Sequence, residues 1–140
     1  LSFAAIQTGC VLDYPYLWAR EQANKATHGR KPRRVAVGVR IAAKLAGGDD
    51  RVILFPITSQ QPPEGVLSIE IPATEKRRAG LDPDKRLWII LDEYNQDIIG
   101  ASYYLDPAGP VGAFGKAFFS EVLLLALKHL GSAKAVNRRA

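Results

Sequence analysis

"GRKPRRVAVGVRI", residues Gly29 to Ile41, joins a block of positive charge to an apolar run that alternates with a period of two. Val35, Val37, Val39 and Ile41 fall on one face, which predicts a half-buried strand. Ala36, Gly38 and Arg40 take the other face, and small residues there suggest close approach by another element or another subunit. Arg30, Lys31, Arg33 and Arg34 crowd the mouth of that strand. A loop needing only solubility would mix signs, so the cluster is either a solvated loop or a socket for something negative.

Other strands follow the same logic. "CVLDYPYLW" (Cys10 to Trp18) is aromatic and β-branched, with Pro15 demanding an edge or a bulge. "RVILFPIT" (Arg51 to Thr58), "VLSIEIP" (Val66 to Pro72) and "RLWIIL" (Arg86 to Leu91) read as strands, and "DIIG" and "SYYL" as weaker ones. "ATEKRRAGL" predicts a helical turn closed by Gly80. "AFGKAFFSEVLLLALKHL" predicts an amphipathic helix over about 113–130, with Phe114, Phe118, Val122 and Leu125 on its apolar stripe. Lys128 and His129 suit its negative end, and Gly131 its stop. Residues 19–34 are almost wholly polar, a long connection of the kind that is functional or mobile.

The chain has 140 residues, 47% of them hydrophobic and 24% charged, which fits one globular domain over 1–140. No apolar run reaches the roughly 20 residues of a membrane span. The start has no basic region followed by an apolar core, so no secretory signal is read there and a cytoplasmic protein is expected. Cys10 is the only cysteine; with His28 and His129 far apart it offers no zinc spacing and reads as a small buried residue at a strand edge. No metal or other cofactor is expected. Net charge is +5, and between Arg20 and Arg34 six basic residues face one acid, Glu21, which favours a polyanionic partner. The absence of βαβ alternation points to a mainly β fold, a small antiparallel barrel with a terminal helix packed on it.

Two apolar strands end in polar residues: Thr58 and Ser59 in one, Asp92 and Glu93 in the other. Strands ending together would bring these to one rim, and the arginines to the same rim if their strand runs antiparallel. Carboxylate, arginine and hydroxyl form a metal-free phosphodiester toolkit. The carboxylate accepts the proton of a ribose 2′-OH, arginines hold the phosphate, and a hydroxyl positions an oxygen. The bland readings are an Asp92–arginine ion pair, a Ser59 that only serves the "TSQQPPEG" turn, and an exposed His28. Tyr14, Tyr16 and Trp18 are core residues or stack on an unpaired base; Trp88 reads as core.

"GRKPRRVAVGVRI", "RVILFPITSQ" and "IEIPATEKRRAGLDPDKRLWIILDEYN" together resemble the MazF/PemK toxins of toxin–antitoxin systems, above all a longer PemK-like branch whose first strand reads like "DYPYLW". The resemblance spans roughly Gly9 to Asn95. It implies an SH3-like β-barrel of the CcdB/MazF type, usually a homodimer. Members cleave single-stranded RNA at short sequences through a 2′,3′-cyclic phosphate, and a cognate antitoxin with an acidic, partly disordered segment neutralises them. By that resemblance Arg33 falls at the active-site arginine, Ser59 at the catalytic hydroxyl and Asp92 at the carboxylate base. Arg30, Lys31, Arg34, Thr58 and His28 would bind RNA. Two departures stand out. Arg34 replaces a proline, and Ile90 stands where an arginine acts as acid, leaving that task to Arg30, Lys31 or His28, or leaving the site weak or inactive. Rival readings are a gyrase poison like CcdB, which the C-terminal "KAVNRRA" argues against, and a non-catalytic RNA-binding or protein-interaction barrel.

Overall fold

The computed structural model describes residues 3–23, 32–45, 47–102 and 104–138. Among them the elements run β1 (Cys10–Tyr14), α1 (Ala19–Ala23), β2 (Arg33–Ile41), β3 (Arg51–Thr58), β4 (Ser68–Glu70), α2 (Ala73–Arg78), β5 (Trp88–Ile90), β6 (Glu93–Ile98), β7 (Gly112–Ala113), α3 (Lys116–Lys128), a 3-10 turn (Leu130–Ser132) and β8 (Lys134–Asn137). The strands form a mainly antiparallel sheet in the order β4-β5-β3-β2-β1-β7, with β6 on β3 and β8 on β6. Only the β6–β8 pair is parallel among the described residues. The order is open, since β4 and β7 are not paired with each other.

β2 and β3 are central, and both their faces are covered. On one side Ala36, Phe55 and Ile57 pack with Ile89 of β5 and with Phe119, Val122 and Ala126 of α3. On the other, Val35, Val37, Val52 and Leu54 pack with Leu12, Tyr14 and Tyr16. Burial on two faces explains why β3 reads as a continuous apolar run and not as an alternation.

The strict alternation expected of β2 breaks at Gly38. Val37 pairs with Leu54 but Val39 with Ile53, so Gly38 is the extra residue of a β-bulge. Beyond it Val39 and Ile41 are only half-buried. The neighbour that fills the space at Gly38 is Phe55 of β3, whose ring a Cβ at residue 38 would strike. Gly38→Val is therefore expected to lower stability by about 1–3 kcal/mol. Urea unfolding checks this: the midpoint should fall with an unchanged slope.

α2 ends as its sequence suggests. Gly80 takes φ 75°, its N–H reaches Arg77 O at 3.3 Å, and Leu81 N–H reaches Lys76 O at 2.8 Å, the paired bonds of a Schellman cap. α3 is shorter than the expected span, and its stripe is rotated. Phe119, Val122 and Ala126 are its buried residues, while Phe118 and Leu125 only flank the core. Phe114 precedes the helix and stacks on Phe119 at 5.8 Å. Gly131 does not stop the helix but lies in the 3-10 turn after it. β1 ends before Pro15, and Cys10, buried, opens it. "SYYL" forms no strand among its described residues. β6, by contrast, begins four residues before the "DIIG" candidate and takes in only its first two residues, and β8 arises in the tail, where no strand is read.

β6 is held by buried polar groups with distant partners. Asn95 accepts the Leu17 N–H at 2.9 Å and donates to Leu17 O at 2.7 Å. Asp97 accepts the hydroxyls of Tyr14 at 2.6 Å and Ser102 at 2.7 Å. Burial and the Asp97 carboxylate together push the Tyr14 phenol far above its ordinary range. No helix among the described residues is long and apolar enough to cross a membrane.

Candidate functional site

β2 begins where β3 ends, and β6 and β8 begin at the same edge. Antiparallel pairing of Val35 with Pro56 brings Arg33 level with Thr58. Asp92 ends the connection from β5 into β6, and parallel pairing sets Lys134 opposite Glu93. The result is a cleft of about 830 Å³ whose walls include Arg33, Arg34, Thr58, Ser59, Asp92 and Lys134. Five residues singled out by sequence thus share one cavity: Arg33, Arg34, Thr58, Ser59 and Asp92. Arg30, Lys31 and His28 lie outside the described residues.

The side chains are not equivalent. Arg34 is committed to Asp13, its cross-strand neighbour, at 2.7 Å, and its Nη1 donates to Gly80 O at 3.4 Å. Arg33 has no carboxylate partner among the described residues; its guanidinium lies 5.4 Å from the Trp18 ring centroid. Arg20 approaches the same ring at 4.8 Å. Trp18 is half-buried and lines the cleft, while Tyr14 and Tyr16 are buried core residues. Trp18 is set in place from both sides. Its N–H donates to Glu21 Oε1 at 3.0 Å, half of a capping box on α1. Glu93 Oε1 accepts the Tyr16 hydroxyl at 3.1 Å and the Ala19 N–H at 2.9 Å.

Asp92 is half-buried, and desolvation raises its pKa, opposed by its own backbone N–H and by the charge of Lys134. The carboxylate is thus a stronger base than an exposed aspartate. Its ion pair with Arg33 or Arg34, one of the bland readings, is not formed. Thr58 Oγ1, not Ser59, closes the turn by accepting the Gln60 N–H at 3.1 Å. Ser59 is exposed at the rim. Ile90 also faces the cleft, so an apolar wall stands where the resemblance would place an arginine. Among the described residues no three His, Cys, Asp or Glu side chains gather as metal ligands.

Lys134, like Lys85, is a cleft cation that sequence reading missed. Its N–H donates to the Asp92 carbonyl at 2.9 Å, which ties the start of β8 to the residue beside the site. The short alternation of "KAVN" was the available signal, but four residues after a glycine-serine turn are too few to be decisive.

No family model, curated protein or solved structure matches this chain.

Proposed function

We propose that this protein is a metal-independent endoribonuclease of the MazF/PemK toxin type, built on that family's SH3-like barrel. It cleaves single-stranded RNA and is neutralised by an acidic antitoxin segment that occupies the same cleft, with a homodimer as its working form. The observation that supports this reading is the convergence of Arg33, Ser59 and Asp92 in one cavity beside the Trp18 ring.

In the proposed reaction Asp92 takes the proton of the ribose 2′-OH, and the freed oxygen attacks phosphorus. Arg33 holds the non-bridging oxygens as charge builds on them, and Ser59 hydrogen-bonds one of them. The bond from phosphorus to the 5′ oxygen breaks, giving a 2′,3′-cyclic phosphate and a 5′-hydroxyl. Lys134 supplies the proton to the departing 5′ oxygen, the task that falls to no residue at Ile90. Incubating the protein with long single-stranded RNA in EDTA and mapping the ends tests this. Discrete cuts bearing cyclic phosphate support it; intact RNA with no cuts at any enzyme concentration rejects it.

The second reading, an RNA-binding protein without cleavage, is favoured by two features: Ile90 in the cleft wall and an Arg34 already neutralised by Asp13. The two readings share a binding prediction. Arg33→Ala should lower the slope of log K against log salt by about 0.7, one phosphate contact on a single strand. Trp18→Ala should cost about 1–3 kcal/mol of binding as a stacking platform and leave the salt slope unchanged. Fluorescence titrations at several salt concentrations measure both, and a Trp18 variant that binds like wild type would remove the stacking role.

A further inference from the structure

A second cleft, also about 830 Å³, opens at the opposite end of the same strands. Its lining includes Lys44, Asp49, Arg51, Asp97, Tyr104 and Arg138. Arg138 follows β8 and is only 4% exposed. Its Nη1 is satisfied by Pro15 O at 2.7 Å and Asn95 Oδ1 at 3.1 Å. Two rings lie against the guanidinium, Tyr104 at 4.1 Å and Tyr14 at 5.5 Å from their centroids.

Nε and Nη2 are buried and find no acceptor among the described residues. These two N–H groups form the side-on edge of a guanidinium, two parallel donors matched to the two oxygens of a carboxylate. A buried cation with two unmet donors is costly to keep in a fold. Asp97, a carboxylate lining the same cleft, is spent on the hydroxyls of Tyr14 and Ser102 and on the Ile98 N–H.

We propose that this cleft binds a small organic acid with an apolar body, its carboxylate taken side-on by Nε and Nη2 of Arg138. The charges at the cleft are three cations, Lys44, Arg51 and Arg138, against two carboxylates, Asp49 and Asp97, which leaves one positive charge for a monoanion. A dianionic phosphate would meet the same two carboxylates with too little charge to balance it. Ala42, Ala43 and Ile98 supply the apolar wall for the body of the acid. Because both nitrogens are shut off from bulk water, the acid reaches them by turning aside the half-buried Tyr104 ring, which covers the guanidinium and lines the cleft.

The test uses the full chain and nitrogen-edited NMR of the Arg138 Nε–H, with benzoate as probe, and no RNA enters it, so the outcome is independent of the ribonuclease reading. A saturable shift of that resonance is expected with benzoate and none with benzamide, the isostere that carries no charge and sets an NH₂ donor where the carboxylate sets its second acceptor. Tyr104→Ala, which uncovers the edge, should tighten benzoate binding severalfold, and Arg51→Gln should weaken it by about fivefold. Three results would overturn the proposal: no saturable shift with benzoate, an equal shift with benzamide, or saturation by inorganic phosphate where benzoate fails. Weaker benzoate binding by folded Tyr104→Ala would overturn the route past that ring.

Discussion

Asp92→Asn is expected to abolish RNA cleavage while leaving RNA binding intact. The amide keeps the size of the side chain but cannot accept the 2′-OH proton, and loss of a positioned base costs about 10²–10⁴ in rate. Binding survives because the cations of the cleft and Trp18 do not depend on that carboxylate for their position: Arg33 rests on the Trp18 ring and Arg34 on Asp13. The wild-type pH profile carries the same information. Burial raises the Asp92 pKa, and the group is active when deprotonated. Cleavage should therefore rise with pH through a limb lying above the value of about 3.9 of an unperturbed aspartate. Single-turnover rates across pH, with the variant alongside, measure this. An Asp92→Asn protein that cuts at the wild-type rate would remove Asp92 as the base and leave the cleft a binding surface.

The largest effect on stability is expected at Asn95, which is 0% exposed. Asn95→Leu leaves the Leu17 N–H and C=O buried without partners and takes one of the two acceptors from Arg138 Nη1. At about 1–3 kcal/mol for each unmet buried group, the sum is about 3–5 kcal/mol. Asn95→Asp keeps the Oδ1 acceptor for the Leu17 N–H and Arg138 Nη1 but sets a second oxygen, in place of a donor, against Leu17 O, so it should fall between the two. Urea denaturation of the three proteins measures the series. The same change reaches the cleft, because Leu17 precedes Trp18: RNA binding by folded Asn95→Leu should weaken as though the ring had been loosened. A destabilisation below about 1 kcal/mol would show that water replaces the amide, as it does at sites with access to solvent.

Residue patterns carried much of this architecture. Arg51–Thr58 is a strand over the span that its apolar run marks, and Gly80 closes α2 where glycine is the residue that tolerates a positive φ. The clustering of Arg33, Arg34, Thr58, Ser59 and Asp92 was legible too, since it needs only that strands begin and end together. Three other features were not. No strand is read in the polar "DEYNQD", yet it forms most of β6, because Asn95 and Asp97 spend their polarity on Leu17, Tyr14 and Ser102, residues about eighty positions away or in the next loop. β8 exists because β6 offers it an edge. Arg138 reads as one more cation of a basic tail and is instead buried among tyrosines.

What the chain's own order of residues determined is therefore local: alternation, apolar runs, the helix stop at Gly80 and the positive charge opening β2. These depend on groups a few positions apart, whose periodicity and backbone preferences can be read directly. Tertiary structure alone decided which polar groups are satisfied inside. It turned Gly38 into a bulge under Phe55, gave Arg34 to Asp13 and left Arg33 to Trp18, brought Lys134 beside Asp92, and buried Arg138 with one edge unpaired. Each of those outcomes is set by partners distant in sequence, and the free energy of a buried polar group depends on its partner far more than on its own identity.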